Sequence, residues 1–145
     1  MAALVVAVGN TLRGDDGVAH RVADLLGAHA GVDLLRVHQL TPELAEEIGR
    51  AGVVVFVDAD MEASAARLER VTETPQRAPI THMMTPNELV MLAGRLYGFQ
   101  GEAYLCHVPA EDFTPGSALT PVAEAGARAA VRKVAELLNL PAEIL

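Results

Sequence analysis

Residues 4–8, Leu-Val-Val-Ala-Val, form an unbroken apolar run rich in β-branched side chains, and the run stops at Gly9-Asn10. A run of this length and composition predicts a β-strand that is covered on both faces. The run Val53–Val57 has the same character and stops at Asp58. Two strands of this kind indicate a sheet with helices packed on both sides.

The rest of the chain supplies the other elements. Three predicted helices begin with Thr-Pro, at positions 41, 85 and 120, with Thr as the cap and Pro at the first helical position. Another helix follows the loop Thr11–Asp15 and is expected to end near Gly31. Three further strands are predicted at Leu34–Val37, Arg67–Thr72 and Ala103–Val108.

The strand at Arg67–Thr72 follows the preceding strand after only about eight residues, whereas a parallel crossover needs a dozen or more. It is therefore predicted to be antiparallel and to lie at a sheet edge, which suits its charges. The resulting order, β-α-β-α-β-β-α-β-α, predicts the α/β class: a three-layer sandwich around a mostly parallel five-stranded sheet with one antiparallel strand. No linker divides the chain, so residues 1–145 are expected to form a single domain.

Composition excludes several classes of partner. The chain of 145 residues carries 11 basic and 19 acidic side chains, a net charge of −8, and only 3% of it is aromatic. Nucleic acid and anionic membranes are therefore unexpected partners. A single cysteine, Cys106, the absence of a long apolar run and a beginning without a basic signal-peptide region favour a cytoplasmic location.

Three side chains that can bind metals are expected at the carboxyl edge of the sheet. Asp16 follows the first strand and Asp58 follows the third. His82 precedes a helix that must start at the same edge in order to lead into the fifth strand. Two carboxylates and an imidazole suit a divalent metal such as nickel, zinc or cadmium, and three ligands leave coordination positions open.

Each of these residues also has an ordinary structural explanation. Asp16 in a first helical turn can serve the helix dipole, and Asp15 has the position of a cap. Asp58 at a strand end is often a turn residue, and a histidine in a loop, such as His82, is usually solvated.

Other candidate groups have weaker signals. His20 is interpreted as a surface histidine, although it lies on the same helix face as Asp16. Cys106 falls inside a predicted strand, where it behaves as a small hydrophobe. The glycines at 9, 14 and 17 lack the spacing of a dinucleotide loop. Two histidines are interpreted as structural or exposed, namely His29 and His107.

Four ordered segments carry a family resemblance. The segment from Gly9 to Gly17, GNTLRGDDG, resembles the first motif of the hydrogenase maturation proteases. Val57-Asp58-Ala59 is similar to their second motif. The third match is Thr81-His82 with Thr85–Leu89, which is similar to their histidine motif. The fourth is their C-terminal segment, which Phe113–Gly116 and Leu119-Thr120-Pro121 together resemble.

This resemblance implies an endopeptidase that clips the C-terminal extension from a [NiFe]-hydrogenase large-subunit precursor after nickel insertion. The metal-contacting residues would be Asp16, Asp58 and His82, and a carboxylate of Asp16 or Asp58 would assist hydrolysis. Participation of His38 or Asp60 stays open. The metal would be the nickel of the substrate, which zinc or cadmium could replace, so no permanently bound cofactor is expected. The expected partner is the nickel-loaded precursor.

Two alternatives remain at this stage. One is a metal-dependent hydrolase of another substrate that holds its own zinc. The other is a non-enzymatic chaperone that binds the metallated precursor. Metal content distinguishes the first alternative, and complex formation without loss of precursor mass distinguishes the second.

Overall fold

A computed structural model describes residues 2–72 and 84–141. Within these ranges the strands are β1 (Ala3–Val8), β2 (Val32–Val37), β3 (Val53–Asp60), β4 (Arg67–Arg70) and β5 (Glu102–Pro109). The helices are α1 (Val18–Leu26), α2 (Leu44–Gly49), α3 (Pro86–Tyr97) and α4 (Pro121–Leu137). A 3-10 turn, Gly14–Gly17, precedes α1. No helix in the described ranges is long and apolar enough to cross a membrane.

The strands form one sheet in the order β2-β1-β3-β5-β4. All neighbouring pairs are parallel except β4 with β5, which is antiparallel. The predicted α/β class and the antiparallel edge strand are therefore confirmed. The chain winds outward from β1 to β2 and then crosses back to β3 on the other side of β1. This reversal leaves a crevice between the carboxyl ends of β1 and β3, the usual place for a ligand in such sheets.

Helices cover both faces of the sheet, as the continuous apolar runs predict. Val5 and Ala7 of β1 pack with α1 and α4 on one face, whereas Leu4 and Val6 pack with α2 and α3 on the other. β3 is divided in the same way, and its Phe56 is fully buried on the α2/α3 face. Because side chains alternate along a strand, every second residue of β1 and β3 serves each core.

Two of the three Thr-Pro starts are confirmed. The Thr85 hydroxyl accepts the backbone N–H of Glu88, and the Glu88 carboxylate accepts the backbone N–H of Thr85, which together make a capping box. The Thr120 hydroxyl accepts the N–H of Ala123 at 3.2 Å. Both caps satisfy N–H groups that would otherwise lack a partner in the first helical turn.

The predicted start at Thr41 and the predicted end near Gly31 are wrong. Residues 41–43 form a turn in which the Leu44 N–H donates to the Thr41 carbonyl, so α2 begins at Leu44 without a side-chain cap. The first helix ends at Leu26, because Gly27 takes φ +70° and leaves the helical conformation.

A candidate active site at the carboxyl edge of the sheet

The first motif folds over the end of β1 and fixes Asp16. The side chain of Asp16 is half-buried, and its Oδ2 accepts the backbone N–H of Asn10 at 3.2 Å. Gly9 has φ +151°, and a Cβ at that position would overlap the carbonyl oxygen of Asp16. Glycine is therefore required at position 9 for the loop to lie against the turn that carries Asp16.

A second glycine of the motif has a similar role. Gly14 has φ +52°, and a Cβ there would lie 2.5 Å from the carbonyl oxygen of Asp112. The glycines thus allow close packing of backbone within this loop and against the segment that follows β5. This packing explains the glycines without a bound nucleotide.

Asp58 lies two residues before the end of β3, not just beyond the strand as predicted, because β3 continues through Asp60. Burial raises the pKa of Asp58 to about 6. The Ala59 N–H lowers the pKa, whereas the negative charge of Asp16 raises it further. Asp16 and Asp58 thus interact electrostatically across the crevice between β1 and β3.

The third member of the predicted metal set, His82, lies outside the described residues. Among the residues that the structure describes, no group of three His, Cys, Asp or Glu side chains is arranged to hold a metal ion. Asp16 and Asp58 are brought together, and their joint use with His82 stays a prediction.

Asp15 is fully buried and does not cap its own helix, which corrects the sequence interpretation. Its Oδ2 accepts the N–H groups of Glu111 and Asp112 at 2.8 and 3.2 Å. The hydroxyl and N–H of Thr120 also donate to this carboxylate. Burial raises the pKa of Asp15, but these hydrogen bonds outweigh it and lower the pKa overall. Asp15 therefore joins the first motif to the segment between β5 and α4.

A second polar cluster lies beside Asp58 and was not predicted as part of the site. His107 is the sheet partner of Asp58 on β5. Its Nδ1 lies 3.0 Å from Asp60 Oδ2, and its Nε2 lies 2.7 Å from Glu69 Oε2. The charge of His107 lowers the pKa of Asp58. The alternation in Asp-Ala-Asp at 58–60 was the available signal, because it places both carboxylates on one face of the strand.

The remaining candidates have structural positions. His20 is half-buried, not a surface residue as predicted, and its Nε2 lies 2.8 Å from the Gly9 carbonyl, so it supports the first-motif loop. The ring of His29 bonds the Leu26 carbonyl. His38 is exposed just beyond β2. Cys106 is fully buried, and burial raises the pKa of its thiol to about 12, which agrees with its interpretation as a small hydrophobe.

No protein-family model matches the sequence, and no curated protein matches it significantly. Solved structures do match. The hydrogenase 2 maturation peptidase from a Thaumarchaeota archaeon is 25% identical with a TM-score of 0.71, over 97% of this chain and 100% of that chain. The hydrogenase maturating endopeptidase HybD from E. coli is 22% identical with a TM-score of 0.69, over 96% and 93% of the two chains.

The [NiFe] hydrogenase maturation protease HycI from Thermococcus kodakarensis is 18% identical with a TM-score of 0.74, over 95% of this chain and 92% of that one. Each match covers more than nine-tenths of both chains. The resemblance that the motifs predict is therefore confirmed, and the chain has the fold of the hydrogenase maturation proteases.

Proposed function

We propose that this chain is an endopeptidase that removes the C-terminal extension of a [NiFe]-hydrogenase large-subunit precursor after nickel insertion. The observation that carries the proposal is the placement of two carboxylates at the carboxyl ends of neighbouring strands: the Asn10 N–H holds Asp16 just beyond β1, and Asp58 lies near the end of β3, where the charge of Asp16 raises its pKa. The similar solved structures, described as hydrogenase maturation peptidases and endopeptidases, support the reaction class.

The proposed recognition element is the nickel of the precursor. Two carboxylates held close together repel each other, and a divalent cation between them would relieve this repulsion. Carboxylate oxygens and an imidazole nitrogen can coordinate nickel, and we assign the imidazole to His82. Coordination would be complete only when the precursor brings its metal, so a precursor without nickel would bind weakly and escape cleavage.

Asp58 has the property that general-base catalysis needs, a pKa close to neutral pH. Asp58, with a pKa of about 6, is mostly ionised at pH 7 and accepts a proton more readily than an ordinary aspartate. Asp16 is held in place by the Asn10 N–H. We therefore assign proton acceptance from the attacking water to Asp58 and substrate-metal binding to both carboxylates.

The proposal is tested by mixing the purified protein with the precursor in nickel-loaded and nickel-free forms. Mass spectrometry should detect loss of the C-terminal fragment only from the nickel-loaded form. Asp16→Asn, Asp58→Asn and His82→Ala should each lower the cleavage rate by about 100-fold or more, within the range found for transition-state groups. Asp33→Asn, at an exposed position on β2, is the matched control and should cleave normally. Unimpaired cleavage by the three site variants would overturn the assignment.

The purified protein and the two precursor forms also distinguish the two alternative functions, a metal-dependent hydrolase and a chaperone. A full equivalent of tightly bound zinc in the purified protein, with cleavage of neither precursor form, would indicate a metal-dependent hydrolase of another substrate. A stable complex with the nickel-loaded precursor that never changes in mass would indicate a chaperone.

A further inference from the structure

A cleft lies beside the first-motif loop, between that loop, α1 and the end of β2. It is open to solvent, and its volume is about 490 Å³. Its walls include Asn10, Leu12, His20, Asp24, Arg36 and His38. The catalytic assignments above use none of these side chains.

The cleft adjoins the loop that holds Asp16. Asn10 lines the cleft, and its backbone N–H donates to Oδ2 of Asp16. The carbonyl of Gly9, another lining residue, is bound by His20 from the opposite wall. A molecule in the cleft therefore lies against the backbone that fixes Asp16. If that molecule is a polypeptide, its neighbouring residues can reach Asp16.

Leu12 presents an apolar side chain at the rim of this cleft. Its N–H donates to Asn10 Oδ1 at 2.9 Å, and its carbonyl accepts the Gly116 N–H at 2.9 Å. Its side chain is nevertheless 75% exposed. An exposed leucine alone is ordinary, but this one has backbone hydrogen bonds on both sides. Its position is thus fixed in advance, which lowers the entropic cost of a contact with a partner.

The wall on the β2 side suits an extended polypeptide. β2 is the outermost strand of the sheet, and the Val37 carbonyl accepts the N–H of Gly9 on the β1 side. Since N–H and C=O groups alternate sides along a strand, those of Arg36 point away from β1 toward the open edge. Such edge groups can pair with another extended chain.

The charges of the wall favour a neutral occupant. The Arg36 guanidinium lies 2.6 Å from a carboxylate oxygen of Asp24, so the two charges cancel locally. The nearby crevice carries the carboxylates of Asp16 and Asp58 instead. A peptide backbone with an apolar side chain complements a wall of this kind better than a strongly charged small molecule does.

We propose that this cleft binds an extended segment of the precursor polypeptide next to the bond that is cleaved, with an apolar side chain of that segment against Leu12. The inference rests on the proposed function, because it names the part of the surface that binds the substrate chain. It assigns Leu12 as a specificity-determining residue.

The first test compares Leu12→Gln with Leu96→Gln in steady-state cleavage of the nickel-loaded precursor. Leu96 is a matched control, because it is 64% exposed near the far end of α3. Loss of a leucine contact should raise KM about tenfold while kcat stays within about twofold. Leu96→Gln should behave as the wild type. Equal KM values for the two variants would overturn the inference while leaving the proposed function intact.

The second test measures binding without turnover. Amide hydrogen exchange is followed in the wild type with and without a saturating synthetic peptide that spans the cleavage site and carries no nickel, and protection is expected at residues 9–12 and 36–38. Lack of protection in both segments overturns the inference. If the wild type fails to cleave the precursor, the proposed function is overturned. Protection of these two segments in that case still supports a polypeptide-binding cleft.

Discussion

The carboxylate of Asp15 accepts hydrogen bonds from both the backbone N–H and the hydroxyl of Thr120, each at 2.8 Å. The two residues are 105 positions apart in the chain. The same Thr120 hydroxyl accepts the Ala123 N–H, so one buried carboxylate fixes the first motif and the start of α4 together. The geometry around Asp16 consequently depends on a contact with the last quarter of the chain.

Asp15→Asn should destabilise the protein by about 2–4 kcal/mol, because an amide nitrogen would face donors that now meet a buried carboxylate. The lowered pKa of Asp15 gives the pH dependence. A carboxylate whose folded pKa is depressed stabilises the fold above its unfolded pKa, 3.8, and this contribution is lost as the pH falls through the folded value. Urea unfolding should therefore show a large difference at pH 7 that narrows below pH 4.

Thr120→Ser is the control for that experiment, since it keeps the hydroxyl that donates to Asp15. It should lose much less stability than Thr120→Val, which removes the hydroxyl. Equal unfolding midpoints for Asp15→Asn and the wild type at pH 7 would contradict the structural role of Asp15.

Asp58→Asn should stabilise the fold while it lowers the cleavage rate by about 100-fold or more. The pKa of Asp58 is raised from 3.8 to about 6, so this carboxyl lowers the stability of the fold; the cost begins as the pH rises through 3.8 and is complete above about pH 6. An amide removes that charge, and the gain should reach at most about 3 kcal/mol at pH 7, from about 1.4 kcal/mol per pKa unit. Thermal unfolding at pH 7 and pH 4 checks the sign, because the gain should shrink at the lower pH.

The exposed Asp33→Asn variant provides the comparison, with a change within about 0.5 kcal/mol at both pH values. A destabilised Asp58→Asn at pH 7 would mean that the hydrogen bond from Ala59 and the other local contacts outweigh the burial of the charge. The raised pKa would then not describe this carboxylate.

Gly9→Ala should prevent the first-motif loop from closing on Asp16. The added methyl group would overlap the Asp16 carbonyl, and a backbone shift large enough to relieve it should cost about 3 kcal/mol or more. Gly98→Ala separates this clash from conformational strain, because Gly98 has the left-handed conformation (φ +71°, ψ +26°) but no neighbouring atom within 4 Å of the added Cβ. It should cost about 1 kcal/mol. Similar unfolding midpoints for the two variants would argue against close packing at Gly9.

The fold is readable from the sequence where a local pattern has one physical explanation. The apolar runs of β1 and β3 have no polar face, so they require helices on both sides. The short connection before β4 cannot form a parallel crossover, which predicts its direction. Thr41-Pro42 failed as a predictor because local capping chemistry also fits a turn, and the Leu44 N–H bonds the Thr41 carbonyl there.

The candidate site is readable only in part. The proximity of Asp16 and Asp58 follows from topology, because carboxyl ends of neighbouring parallel strands meet at one edge. The hydrogen-bond partners of Asp15 lie in the segment that ends at Thr120, and no local sequence pattern indicates a contact between residues 105 positions apart. The place of His107 opposite Asp58 depends on the register of β3 and β5, which spacing alone does not determine.

His107→Gln tests whether the polar cluster of His107, Asp60 and Glu69 changes the pKa of the catalytic carboxylate, Asp58. A neutral imidazole has one N–H, so His107 can donate to Asp60 and Glu69 together only when it is protonated. Because the charge of His107 lowers the pKa of Asp58, its removal should raise that pKa further, visible as a shift in the carboxyl ¹³C NMR titration of Asp58. Cleavage should then require a higher pH, and the protein should lose about 1–2 kcal/mol of stability.

Glu69→Gln weakens the same cluster at its exposed end and should move the Asp58 titration much less. An unchanged Asp58 titration in His107→Gln would limit His107 to a structural contact between β3, β4 and β5.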